Sequence, residues 1–157
     1  MFKGEIVPKG KLAFDFSYNV LTTCFDRLVD IENTSGLYQI FTLDGLPLKV
    51  GIAKSLRSRL NQHLKSSQKR LKSTIDGEVL EPSHLQSTQS ILAKHLYFDS
   101  SLTNDNDLKT ECGRRNFLIK ETYLLITYTC DREEAKRLEK IAESSDMWRY
   151  KGMVKII

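Results

Sequence analysis

The reading of this chain turns on Gly36–His63, G-L-Y-Q-I-F-T-L-D-G-L-P-L-K-V-G-I-A-K-S-L-R-S-R-L-N-Q-H. Leu37, Ile40 and Phe41 supply a first strand, and Asp44-Gly45 is the kind of turn dipeptide that closes a hairpin. A second strand follows over Leu46 to Ile52, apolar on both sides of Lys49. Gly51 near its end permits a bend or a close approach, because it carries no Cβ. Ser55 then caps a helix whose Leu56, Leu60 and Leu64 recur every four positions. Arg59 and His63 are also four apart, so they share one face of that helix beside the leucine stripe.

Outward from this stretch the charge is uneven. Between Gly45 and Ile75 stand Lys49, Lys54, Arg57, Arg59, Lys65, Lys69, Arg70 and Lys72, with no Asp or Glu among them. Such a run is either a solvated helix face or a surface that neutralises phosphates and releases their counterions. The net charge of +4 over 157 residues does not choose between the two. The length fits one domain, with 40% hydrophobic and 28% charged residues, as in an ordinary globular chain. No apolar run nears the roughly 20 residues that span a bilayer, and the first ten residues lack a signal-peptide core, so a cytoplasmic location without membrane contact is expected. Cys24, Cys112 and Cys130 are odd in number and widely spaced, which fits reduced thiols rather than a disulfide framework or a zinc site.

Before the central stretch, Met1 to Ala13 reads as an extended arm. Phe14 to Ile31 reads as an amphipathic helix through Phe14, Tyr18, Leu21, Phe25, Leu28 and Val29. After it, Ser73 to Ser83 reads as a loop and Ser83 to Phe98 as a second helix. His84 and His95 lie eleven apart without a third ligand, a poor metal spacing. Ser100 to Arg115 is polar enough to predict a loop. Its Arg114 and Arg115 either reach phosphates or keep the loop soluble. Phe117 to Thr129 is rich in Leu, Ile, Tyr and Thr, with Tyr123–Tyr128 its clearest central strand, and Asp131 caps a helix carrying Ala135, Leu138, Ile141 and Ala142 with Glu139 beside the stripe. The tail from Ser144 to Ile157, with Trp148 and Tyr150, predicts an edge strand or a docked terminus.

Gly36-Leu37-Tyr38, Lys49-Val50-Gly51, Arg59, His63 and Ala135-Lys136-Arg137-Leu138-Glu139 together resemble the core motif of the GIY-YIG endonuclease family. The spacing agrees, while Lys49 stands where that motif has its second tyrosine, a substitution found in some restriction enzymes of the family. The resemblance covers roughly 36–144, with an N-terminal arm and helix over 1–35 and a tail over 145–157. It implies an α/β (α+β) fold with a small three-stranded sheet, mixed or antiparallel, flanked by helices. It also implies an endonuclease that acts on DNA and uses Mg²⁺, or Mn²⁺ in its place. In that reading Tyr38 orients or deprotonates a water, His63 takes the proton, Arg59 binds the scissile phosphate, Lys49 supports either the phosphate or a tyrosine, and Glu139 is the metal ligand. Lys54, Arg57, Lys65, Lys69, Arg70, Arg114 and Arg115 are the candidate nucleic-acid contacts. The alternative is a binding module of the same fold that no longer cleaves, with Lys49 as the mark of the loss. The target sequence, the biological role and the oligomeric state are not written in the motif.

Overall fold

A computed structural model describes residues 19–64, 71–86, 91–102 and 105–157. Their strands are β1 (Val20–Thr23), β2 (Gly36–Thr42), β3 (Pro47–Ala53), the two-residue β4 (Lys72–Ser73) and β5 (Leu85–Gln86), and β6 (Thr122–Tyr128). The helices are α1 (Leu56–Leu64), α2 (Ile91–Tyr97), α3 (Glu111–Glu121) and α4 (Arg132–Glu143), with short 3-10 turns at Phe25–Asp30 and Pro82–His84. The fold is α+β. Its main sheet is four-stranded and antiparallel, in the order β1-β6-β2-β3, and β4 pairs with β5 apart from it.

The β2–β3 hairpin forms where its turn chemistry places it. Gly45 takes a φ of 96°, its N–H donates to Thr42 O, and Thr42 N–H donates to Leu46 O. Period-2 alternation then divides the sheet's side chains between two cores. Leu37, Phe41, Val50, Tyr123 and Leu125 pack beneath α4 with Leu138, Ala142 and Trp148. Tyr38, Ile40, Leu124 and Ile126 pack against Leu56, Leu60 and Leu64 of α1, Leu92 and Leu96 of α2, and Phe117 of α3. Gly36 is required by this second packing, because a Cβ there would run into Leu56 Cδ1 and Thr127 O.

Three expectations are corrected. The sheet has four strands, since Val20–Thr23 is extended and pairs with β6 where a helix over Phe14–Ile31 was expected. The β-branched V-L-T-T run suits a strand, and the apolar repeat at Phe25 and Leu28 is the three-residue repeat of a 3-10 turn, which leaves Val29 80% exposed. Residues 1–18, which hold the arm and the first part of that expected helix, lie outside the described residues. Of the helix expected over Ser83–Phe98, Pro82–His84 is a 3-10 turn, Leu85–Gln86 is β5 and Ile91–Tyr97 is α2, with 87–90 outside the described residues. The loop expected over Ser100–Arg115 ends at Thr110, whose hydroxyl accepts from Gly113 N at 2.9 Å and caps α3. Gly113 permits that start, because a Cβ there would strike Asp107 O. The central strand expected at Tyr123–Tyr128 forms as β6, and Phe117 and Leu118 ahead of it are buried from α3.

The Asp131 cap is formed, its carboxylate accepting from Glu134 N at 2.8 Å. Ala135, Leu138 and Ala142 are buried on α4, whereas Ile141 is left exposed. The tail docks. Arg149 N and Tyr150 N donate to Pro47 O and Leu48 O at 3.1 and 2.8 Å, and Ile157 N donates to Phe98 O at 3.0 Å. No helix among the described residues is long and apolar enough to cross a membrane.

Candidate active site

Strand β3 is an edge strand, and its consecutive residues Lys49, Val50, Gly51 and Ile52 line one groove of about 670 Å³. Consecutive strand residues face alternate sides, so this groove runs along the strand's edge rather than over one face of the sheet. Tyr38 and Arg59 border it from one side, and Glu139, Glu143 and the cations of α4 from the other.

Tyr38 is paired with Gly51, and its ring lies directly across that glycine. A Cβ at Gly51 would collide with the Tyr38 ring and hydroxyl, so the glycine is the space the tyrosine occupies. The Tyr38 hydroxyl reaches His63 Nε2 at 3.1 Å, and the two rings meet edge to face at 5.8 Å between centroids. His63 gets there because the leucine stripe of α1 faces the core and carries it inward; it is fully buried. Arg59, one turn earlier, bonds Gln62 Oε1 at 3.1 Å and also hydrogen-bonds the Tyr38 hydroxyl. A guanidinium only donates, so the Tyr38 oxygen accepts from Arg59, and the imidazole tautomer sets which of Tyr38 and His63 donates in their contact. His63 Nδ1 is buried with no partner among the described residues.

Tyr38, Lys49, His63 and Glu139 are displaced toward their neutral forms. Burial raises Tyr38, although the Arg59 charge and hydrogen bond pull the other way. Burial, then the Arg59 and Lys49 charges, hold His63 down to about 3. Lys49 is lowered by burial against the pull of Glu143 and Glu139. Glu139 is raised by burial and by Glu143, with Lys49, Arg132 and Lys136 opposing. His63 is therefore neutral across the ordinary pH range, displaced from the near-neutral titration that an unperturbed imidazole would show.

Tyr38, Lys49, Arg59, His63 and Glu139, quoted from separate stretches of sequence, thus gather around one groove. The other candidates lie elsewhere. Lys54 is exposed and Arg57 half-buried, and neither lines the groove. Arg114 is buried and donates to Leu108 O at 3.1 Å. Arg115 donates to Leu64 O at 2.9 Å, closing the end of α1, and to Glu111 at 2.6 Å. Lys65, Lys69 and Arg70 lie outside the described residues. His84 accepts from Leu80 N at its Nδ1, while His95 is buried and stacked on Tyr150 at 5.0 Å. The three cysteines are free, Cys24 buried and the other two exposed.

Sequence reading missed Glu143, Arg132, Lys136, Arg137 and Lys140, all of which line the groove from α4. Glu143 was within reach of it, being one helical turn from Glu139. Among the described residues no three His, Cys, Asp or Glu gather as a ready-made metal cage. A hard cation that keeps most of its waters needs less than a cage, and Glu139 with Glu143 one turn away offers oxygen ligands of that kind. Compared with family models, with curated proteins and with solved structures, the chain matches none.

Proposed function

We propose that the β3-edge groove is the active site of a Mg²⁺-dependent endonuclease that hydrolyses DNA phosphodiesters. The observation that carries this reading is the Tyr38–His63 contact of 3.1 Å opening into a groove bordered by Arg59, Lys49 and Glu139. Hydrolysis needs an oriented water, charge stabilisation at phosphorus and help for the leaving oxygen.

Arg59 presents a planar donor fork to the scissile phosphate, and Lys49 adds a compact positive charge from the groove floor. Neutral His63 fixes the direction of the Tyr38 hydroxyl, whose remaining lone pair orients a water toward phosphorus. A phosphate in the groove offsets the Arg59 and Lys49 charges that hold His63 down, so the imidazole becomes more basic when substrate is present. Glu139, with Glu143 behind it, holds the divalent ion. A bound Mg²⁺, or Mn²⁺, supplies Lewis acidity and acidified waters for the leaving oxygen.

A second reading, a nucleic-acid-binding module without cleavage, is favoured by one observation. Lys49 faces Glu139 and Glu143 and already supplies a positive charge to those carboxylates. Supercoiled plasmid incubated with the purified chain decides between them. Nicking that requires Mg²⁺ or Mn²⁺ and stops with chelator supports the nuclease, whereas plasmid retention without nicking under any divalent ion favours the binding module.

A further inference from the structure

Resting on the nuclease reading, we propose that Arg132, Lys136 and Lys140 of α4 form the track that carries the nucleic-acid backbone along the groove, rather than Lys54 and Arg57 beside α1. The three are spaced four apart, so they stand in one row on the helix, rising about 6 Å per step and covering about 12 Å. All three are exposed and all three line the groove opposite Arg59.

The helix is held so that this row faces the groove. Ala135, Leu138 and Ala142 are buried on its inner flank, Asp131 caps its start, and Trp148 Nε1 donates to Ala142 O at 2.9 Å near its end. Among the described residues, six cationic side chains line the groove against three acidic ones. Of the acids, Glu139 and Glu143 sit deeper beside Lys49, while Glu133 is exposed with a loose 4.0 Å contact to Lys136. The outer rim of α4 is therefore cationic, and the two carboxylates within it stand beside Lys49. That arrangement suits a polyanionic strand held from outside with one phosphate reaching the carboxylates within. Lys54 and Arg57, which belong to the α1 run, stand outside the groove lining.

The test is fluorescence anisotropy of labelled duplex DNA in chelator, as a function of salt, for the wild-type chain and for the triple variant Arg132→Gln, Lys136→Gln, Lys140→Gln. Glutamine is a good helix former, and circular dichroism checks that α4 survives. The expected result is a fall of roughly 3 in the slope of log K against log salt, near 0.9 per lost phosphate contact, with an affinity loss of tenfold or more. The single variant Lys140→Gln, which removes one exposed charge, is expected to lower the slope by about 1 and keeps the test open if the triple variant does not fold. An unchanged slope in these variants, with Lys54→Gln/Arg57→Gln lowering it instead, overturns the α4 track and leaves the nuclease reading standing. A wild-type chain with no salt-dependent DNA binding overturns both.

Discussion

At Pro47 and Leu48 strand β3 is covered by the C-terminal segment; from Lys49 to Ile52 it opens on the groove. Each half has its own cluster of charged and phenolic side chains, and the two clusters are built on opposite principles. On the covered half, Asp99 accepts from Arg149 at 2.6 and 3.0 Å, from Tyr150 at 2.7 Å, and from Ser101 N and Oγ at 3.2 Å. Burial alone would raise Asp99, but the Arg149 and Tyr150 bonds hold it below the usual carboxylate range, and Arg149 is raised in return. Asp99 and Arg149 there favour their charged forms because each meets the other, while burial and its bond to Asp99 keep the Tyr150 phenol neutral. In the groove, Tyr38, Lys49, His63 and Glu139 all lean toward neutrality, and His63 Nδ1 has no partner among the described residues. A self-satisfied cluster stabilises a fold; a cluster left short of compensating charge is prepared for a charged ligand.

The contrast breaks first at Arg59. Arg59→Ala is expected to lower the single-turnover cleavage rate by about 10²–10³-fold, the cost of losing a preorganised donor, while the denaturation midpoint stays near wild type. An unchanged rate would make Arg59 a surface charge. Asp99→Ala inverts the pattern: about 3 kcal/mol of stability lost by equilibrium denaturation, because Arg149 is left without its buried partner, and an undiminished rate per folded molecule. A rate collapse with intact stability would show the clamp to be part of the chemistry.

Lys49 sharpens the comparison. The Tyr38 hydroxyl feels the charges of Arg59 and Glu139, and the proposed role of the Lys49 charge is toward the phosphate rather than tyrosine ionisation. Lys49→Met is expected to lower the rate by about tenfold, and Lys49→Tyr to keep the pH–rate profile in place. An upward move of that profile in Lys49→Tyr would return Lys49 to the role of tyrosine activator.

A further effect is on stability against pH. His63 and His95 are buried, held at about 3 and about 4 mainly by burial, while the unfolded chain binds a proton on each near 6.5. Below about 6.5 the unfolded state therefore carries more protons than the folded state, and stability falls as pH drops through 6.5 toward 3. Denaturation midpoints are expected to decline steadily from pH 7 to pH 4, and less steeply in His63→Gln. A flat profile would mean that neither histidine is buried neutral.

What was legible in the sequence was local. Asp44-Gly45, the leucine repeat of α1 and the Asp131 cap each act within a few residues, and each formed. Strand β1 was misread because Leu21, Phe25 and Leu28 fit a helical period, though the first belongs to a strand and the others to a 3-10 turn. Helix α3 was hidden by Gly113, which reads as a breaker until the close approach of Asp107 is known. The Asp99–Arg149 clamp joins residues about fifty apart, and no periodicity carries that information. Five site residues were named from motif spacing, yet Glu143 and the α4 cations enter the site only because β3 is an edge strand. The depressed pKa of His63 depends on burial, which its position in a basic helix does not announce.

Glu139→Ala tests the groove as the place of phosphodiester hydrolysis most directly, read out on one preparation by Mg²⁺-dependent plasmid nicking and by DNA binding in chelator. The expected result is cleavage reduced by about 10³-fold or more with binding close to wild type, because a metal-holding carboxylate is removed and the phosphate-binding cations remain. Nicking by Glu139→Ala at the wild-type rate, under the same ion, would contradict it.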